Sequence, residues 1–290
     1  MLIYNHLIVK GRTIMFRGLY TATSGMMAHN RQQQILTNNL ANANTPGFKQ
    51  DQTVMRAFPA QLIKAMEKGN SGQTTIGTLT TGVYTQEGIP SFTQGPLKQT
   101  GNTTDFSLLS ESLPINPDTQ QKGTLLFAVE LENNDIRYTQ NGQFTVDQQG
   151  FLTTAEGYNV LNQNLQPIKV NSKEFTVQDN GQVVLQDGTA TNRLWLGYTG
   201  EPQQLVKEGQ GLLRWGGNPQ GTPQSVEQVG FLNNAGPLLK QGFVEQSNVD
   251  LTQTMTEMMN TFRGFEANQK VIQAYDRSME KTVNEIGRIY

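Results

Sequence analysis

The residue types that usually carry catalysis or bind metals are few in this chain and widely spaced. His6 and His29 are the only histidines, the chain has no cysteine, and no Asp or Glu precedes Asp51. A zinc site or a catalytic triad needs histidine or cysteine held beside further ligands. We therefore expect neither metal ligands nor a histidine-based catalytic site.

Carboxylates can also act in pairs, as in glycoside hydrolases, when a fold holds two of them across a cleft. The group Glu130, Glu132 and Asp135 lies where a strand-like segment meets a turn, a place where solvated charges are usual. Sequence leaves such a pair open, but nothing in the spacing favours it.

Two further patterns could hold a ligand. The glycines between Gly209 and Gly217 lack the Gly-Lys-Ser/Thr sequence of a phosphate-binding loop, and turns explain them better. Trp195, Trp215 and Tyr198 could form a sugar platform, although aromatic residues of a small β domain usually belong to its core. We expect no cofactor and no enzymatic activity.

Charge and hydropathy argue against two classes of partner. The formal net charge is −2, which does not favour a nucleic-acid-binding protein, and no apolar run is long enough to span a membrane. The acid-free, basic amino terminus is typical of an export signal or an organellar transit peptide. We expect residues 1–14 to be a doubtful leader and Met15 to be the start.

An amino-terminal helix is predicted within residues 15–49, because its apolar residues follow three-four spacing. It should end between Asn42 and Gly47, where asparagine, proline and glycine disfavour a helix. Residues 50–94 are interpreted as a connector with a short helix over 54–66 and some extended structure. The apolar residues of this first helix that we assign to assembly are Leu19, Met26, Leu36 and Leu40.

A central, mostly antiparallel β domain is predicted over residues 95–242. The sequences Asn141-Gly142, Asn180-Gly181 and Asp187-Gly188 are expected to supply the positive φ angles that tight hairpin turns need. The strand candidates are 125–131, 137–138, 144–146, 158–161, 175–177, 183–185 and 194–198.

A long carboxyl-terminal helix is predicted within residues 243–290, capped by Ser247 or Asn248. Its apolar stripe keeps four-three spacing and must pack on the first helix, on other subunits, or on both. The fold class is therefore α+β, with paired, coiled-coil-like terminal helices around a β domain. The stripe residues assigned to assembly are Leu251, Met255, Met258, Phe262, Phe265, Ile272, Met279, Val283 and Ile286.

Two terminal segments about two hundred residues apart carry distinctive motifs. The amino-terminal motif comprises residues 17–28, Asn38, Asn39 and Asn42, and the run from Asn44 through Pro46, Gly47 and Phe48 to Lys49. The carboxyl-terminal motif comprises residues 242–251, with Ser247, Asn248 and Val249, and residues 263–273. Together with shorter strings at residues 94–97, 100–102 and 138–142, these motifs resemble those of the bacterial flagellar rod and hook-basal body family.

The resemblance implies a structural subunit of the basal-body rod, located outside the cytoplasmic membrane. It implies export by the flagellar type III apparatus and polymerisation through the terminal helices with copies of itself and with other rod or hook subunits. Residues 77–102 resemble a distal more than a proximal rod protein, and the departure of residues 110–122 from the family pattern suggests a diverged rod paralogue. A hook or hook-associated protein is one alternative, and a secreted β-domain hydrolase or adhesin is a more remote one.

Overall fold

The computed structural model describes residues 2–59, 61–65, 74–79, 82–86, 88–110, 113–116, 122–131, 133, 135–172, 174–230 and 237–286. For residues 2–16, 61–65, 74–79, 220 and 286 it describes the backbone alone. The chain forms two compact units. Unit 1 comprises Met1–Leu40, Asp51–Ile89 and Leu251–Tyr290, and unit 2 comprises Ala41–Gln50 and Pro90–Asp250.

The elements follow one another along the chain as two long helices with short strands between them. The first part contains α1 (Leu2–Ala41), β1 (Asp51–Gln52), β2 (Met55–Ala57), β3 (Gln61–Ala65), β4 (Thr74–Leu79), β5 (Val83–Thr85) and β6 (Ile89–Pro90). Next come β7 (Leu97–Gln99), β8 (Phe106–Leu108), β9 (Thr124–Glu130), β10 (Ile136–Thr139), β11 (Phe144–Val146), β12 (Leu152–Thr154), β13 (Asn159–Val160), β14 (Phe175–Val177), β15 (Gln182–Leu185), β16 (Ala190–Arg193) and β17 (Leu196–Thr199). The last part contains β18 (Leu205–Gly209), β19 (Leu212–Trp215), β20 (Gln224–Ser225), α2 (Val226–Val229), β21 (Leu239–Gln241), β22 (Phe243–Glu245) and α3 (Leu251–Ile286), with 3₁₀ turns at Pro202–Gln204 and Pro219–Gly221.

Unit 2 is organised around strand β9. One edge of β9 pairs with β10, while the other edge pairs with β17 along its first half and with β13 at its end. All of these pairs are antiparallel, and together they extend into a nine-stranded sheet. The strand β9 can lie at the centre because its residues 125–129 are fully buried on both faces. Successive side chains of β9 point to opposite faces of the sheet and therefore pack in different apolar clusters. Phe127 belongs to the largest cluster, and Leu126 and Ala128 belong to two smaller ones.

The α+β class and the antiparallel β-rich centre predicted from sequence are confirmed, but two local predictions are wrong. Residues 55–57 form a strand paired with Val83–Thr85 instead of part of a helix, since Pro59 would interrupt a helix at its centre. Gly142 does not adopt a positive φ. It is needed because a Cβ there would overlap the carbonyl of Phe106.

The helix α1 begins at Leu2, before the Met15 expected from sequence, and ends at Ala41, one residue before the predicted stop region. The helix α3 ends at Ile286, and the predicted last residues 287–290 lie outside the described part of the chain. In the described residues, neither long helix has a stretch apolar enough to cross a bilayer.

Candidate functional site

Three segments distant in sequence meet within unit 2, and we call this meeting point the junction. It consists of residues 45–50, 91–96 and 245–248. The backbone N–H of Gly47 donates to the carbonyl of Glu245 at 2.9 Å, and that of Gln246 donates to the carbonyl of Pro96 at 2.9 Å. The junction thus joins the family-like sequences from both ends of the chain and one from the middle.

A buried ion pair lies in the junction. Lys49 Nζ lies 2.6 Å from Glu245 Oε1, and each side chain is only 4% exposed. Lys49 also donates to the carbonyl of Thr93 at 2.9 Å, and the N–H of Gly95 donates to Glu245 Oε1 at 2.7 Å. The pair therefore has hydrogen-bond partners in all three segments.

Asn248 links the same segments with its side-chain amide. Its Oδ1 accepts from Gln50 N at 2.7 Å, and its Nδ2 donates to the carbonyls of Ser91 and Thr93 at 2.9 and 3.1 Å. Ser247 Oγ accepts from Val249 N at 3.3 Å. The prediction that Ser247 or Asn248 caps α3 is wrong, because α3 starts at Leu251 and both side chains bond elsewhere.

The remaining motif residues support this arrangement. Gly47 has a φ of +68° and packs on the backbone of Gln140 and Asn141. The ammonium of Lys207 lies 4.3 Å from the ring centroid of Phe48 and donates to the carbonyl of Lys49. Asn42, Pro46, Phe48 and Val249 are half-buried, whereas Asn38 and Asn44 are exposed.

In unit 1, the motif residue Asn39 holds the strand that follows the helix. Its Nδ2 donates to the carbonyl of Asp51 at 2.8 Å, and its Oδ1 accepts from Asp51 N at 2.9 Å. Asn39 is 3% exposed. The side-chain amide of Asn39 both donates to and accepts from the backbone of Asp51, as a residue of a neighbouring strand would. An asparagine suits this position because its side chain carries both a donor and an acceptor.

The faces of α3 differ from the prediction. The half-buried row Met258, Phe265, Ile272 and Met279 belongs to the expected stripe. The buried row beside it is polar: it begins with Thr254 and Thr261, 5% and 3% exposed, and continues through half-buried Asn268 and Tyr275. Four other residues of the stripe, Leu251, Met255, Phe262 and Val283, are 43%, 50%, 53% and 70% exposed. They are not buried within the single chain, and their packing on other subunits stays a prediction. The side chain of Ile286 lies outside the described residues.

Three glycines of the long helices lie close to side chains of the other long helix. A Cβ on Gly18 would overlap the phenol of Tyr275, and one on Gly25 would lie 2.8 Å from Asn268 Nδ2. A Cβ on Gly264 would lie 2.6 Å from Nε2 of His29. On α1, Leu36 is 5% exposed, while Leu19, Met26 and Leu40 are half-buried.

The three aromatic residues considered as a ligand platform, Trp195, Trp215 and Tyr198, belong to three different apolar clusters. Trp195 is buried and stacks on Tyr138 at 5.6 Å between ring centroids, and burial raises the pKa of the Tyr138 phenol. Trp215 belongs to a different apolar cluster. Gly209 ends β18, and Gln210 and Gly211 form the hairpin turn to β19. Glu132 and the side chain of His6 lie outside the described residues. Trp195 and Trp215 therefore do not form a common platform.

Sequence reasoning missed Lys49, Glu245 and Lys207 as interacting residues. Lys49 is the one charged residue of the motif at 38–49, and Glu245 is one of two acids, with Asp250, in the motif at 242–251. That contrast was the available signal. It could not identify the pairing, because the partners are separated by 196 positions.

Comparison with known proteins agrees with these motifs. The sequence profile described as "Flagella basal body rod protein" matches residues 19–49. The profile "Flagellar hook protein FlgE/F/G D1 domain" matches residues 122–185, and "Flagellar basal body rod FlgEFG protein C-terminal" matches residues 240–285. The two terminal matches contain most of α1 and α3, together with Lys49 and Glu245.

Individual relatives cover nearly the whole chain. The flagellar hook-basal body complex protein FlhO of Bacillus subtilis is 42% identical over 95% of this chain and 100% of its own length. The flagellar basal-body rod protein FlgG of the same organism is 30% identical over 93% of this chain and 99% of its own length. The rod protein FlgF of Caulobacter vibrioides is 28% identical over 95% of this chain. The chain belongs to the flagellar basal-body rod and hook-basal body family.

Proposed function

We propose that this chain is a structural subunit of the flagellar basal-body rod that the flagellar type III apparatus exports and that polymerises through its terminal helices. Proteins of this family are structural components of the flagellum, and they are not enzymes. Their place is the basal body, outside the cytoplasmic membrane. The single observation that carries the proposed polymerisation is the exposed apolar row on α3.

Antiparallel pairing of α1 with α3 is the first step of the proposal. The three glycine contacts support it, because successive contacts are seven and then four residues apart on both helices, with residue numbers rising on one and falling on the other. Such constant spacing is typical of coiled-coil packing. The residues at these three contacts are glycines, His29, Asn268 and Tyr275, which bury little apolar surface. Neighbouring subunits would therefore add to the stability of the pair.

The exposed apolar row is the second step. Met255, Met259 and Phe262 are 50%, 57% and 53% exposed on one side of α3, beside Leu251. A contiguous apolar face on a soluble chain marks an interaction surface. Other copies of this chain and related rod subunits are the proposed occupants, since this row lies within the region matched by the carboxyl-terminal rod profile.

A hook or hook-associated subunit is the second candidate, favoured by the hook-named profile over residues 122–185. The rod assignment is preferred because proteins named as rod components match the chain over almost their entire lengths. Within the rod, a distal-rod-like protein or a diverged rod paralogue is the proposed identity. The similarity to FlgG and FlhO supports it.

The experiment compares Phe262→Asp with Gln269→Asp in cells that lack the native gene. Both side chains are exposed and lie in the same row of α3, one heptad apart. We expect Phe262→Asp to abolish motility and rod assembly, because a carboxylate would replace an aromatic at a repeated contact. Gln269→Asp should assemble. Wild-type motility in both Phe262→Asp and Met255→Asp would remove this row from the interface.

A further inference from the structure

The Lys49–Glu245 pair has an unusual position for a stabilising contact. It is almost completely buried, yet its partners come from opposite ends of unit 2, 196 positions apart. A pair of charges gains little over apolar side chains of similar size once it is taken out of water. Stability alone therefore does not explain why charges occupy this place.

Burial of the pair makes the loss of either partner costly, because the remaining charge would be buried without an opposite charge. A buried cation without its carboxylate is far less stable than the same cation in water. The carbonyl of Thr93, which also accepts from Lys49 Nζ, carries only a partial charge and cannot replace Glu245. Lys49 can therefore enter its buried position only after Glu245 is in place.

The rest of the junction depends on the same event. The amides of Gly47 and Gln50 donate to Glu245 and Asn248, so they have these partners only when residues 245–248 have arrived. Glu245 in turn accepts from Gly95. Docking of residues 45–50 thus needs residues 245–248, which lie about two hundred positions further along the chain and are synthesised later.

We infer that Lys49 and Glu245 form a latch that makes closure of the junction conditional on a complete chain. Until residues 245–248 are present, the charge on Lys49 keeps residues 45–50 in water. Once they arrive, the pair and its neighbouring hydrogen bonds form together. A partly synthesised chain therefore does not close its junction early. This inference does not depend on the proposed role in the rod.

Glu245→Gln tests the latch in the full-length protein. Trypsin cleaves after lysine, and Lys49 is buried whereas Lys169, outside the junction, is exposed. We expect cleavage after Lys49 to accelerate about a hundredfold or more in this variant, with cleavage after Lys169 unchanged. Tryptophan fluorescence from buried Trp195 should show that the β sheet stays folded. Glu208→Gln is the matched control, because it removes an acid from the exposed ion pair with Arg137 and should leave Lys49 protected.

A second set of variants tests coupling through hydrogen exchange of the Gly47 and Gln50 amides. Lys49→Met and Glu245→Met should each speed exchange, and the double variant Lys49→Met/Glu245→Met should regain much of the protection because no charge is left unpaired. Wild-type protection of Lys49 in Glu245→Gln would overturn the latch. So would purely additive effects in the double variant, or loss of the Trp195 signal in Glu245→Gln, since closure would then be inseparable from folding of the sheet.

Discussion

Gly47 lies directly against the backbone of Asn141, so close that a Cβ on Gly47 would come within 2.6 Å of the Asn141 nitrogen. The same Cβ would lie 2.7 Å from the carbonyl of Gln140. Gly47 also has a left-handed backbone, with φ of +68°. The glycine of the amino-terminal motif thus serves a contact with the β sheet of unit 2.

Gly47→Ala should therefore destabilise unit 2 by about 3 kcal/mol or more, because strain and steric overlap add. The matched control is Gly101→Ala, whose φ is also positive at +76° but whose Cβ would meet nothing within 4 Å. It should cost only about 1 kcal/mol. Urea unfolding followed by tryptophan fluorescence measures both values, and equal losses would contradict the close approach.

Asn39→Ala should cost about 2 kcal/mol, because it leaves the N–H and the carbonyl of Asp51 without their side-chain partner. Hydrogen exchange at the Asp51 amide should accelerate accordingly. Asn44→Ala, at an exposed position of the same motif, should change stability by less than about 0.5 kcal/mol. Equal exchange rates in the two variants would argue against a role for Asn39 in holding the strand.

The proposed helix pairing can be tested by cross-linking, since the natural chain has no cysteine. Gly25→Cys combined with Asn268→Cys should form an intramolecular disulfide under mild oxidation, because these positions face each other. Gly25→Cys combined with Thr261→Cys, about 10 Å out of register along α3, should remain reduced. Efficient bonding of the second pair would show a different register. Gel mobility with and without reductant gives the result.

The ion pairs of Glu208 with Arg137 and Arg214 should make the stability of unit 2 depend on pH. Hydrogen bonding from Arg137, helped by Arg214, lowers the pKa of Glu208. A lowered folded-state pKa means that the stabilisation is present above the unfolded pKa and is lost as pH falls through the folded pKa. Glu208→Gln should therefore be slightly less stable than the wild type at neutral pH, and the difference should shrink as the pH falls below the ordinary glutamate pKa of about 4.3. Urea unfolding at both pH values measures this, and a difference that persists in acid would exclude the ionic explanation.

Export should depend on the acid-free amino-terminal segment without its cleavage. Deleting residues 1–14 should leave secretion and motility intact, whereas deleting residues 19–40 should keep the protein in the cytoplasm. A polar helix that is marginal alone can stay unfolded for export and order later against its neighbours. Cell fractionation and sequencing of the secreted amino terminus provide the test. Cleavage after residue 49, or secretion without residues 19–40, would contradict this prediction.

The sequence alone was sufficient for the features that depend on local pattern. Residues 144–146 and 175–177 form strands at the predicted bounds, because apolar residues next to strong turn formers leave few other choices. The four-three spacing after Leu251 predicted α3 for the same reason. The family was recognisable because its signatures are short, continuous strings at the two ends.

Only the tertiary structure decided which partners these segments choose. On α3, spacing identified the row through Phe265 but not its neighbour: the buried side carries Thr254 and Thr261, while Phe262 faces outward. The spacing of apolar residues along a helix does not show which of the neighbouring residues face the other helix, because the close contacts there involve glycines. The pairing of Lys49 with Glu245 could not be predicted from sequence either. The two residues are 196 positions apart, and they meet only when the three segments of the junction fold together.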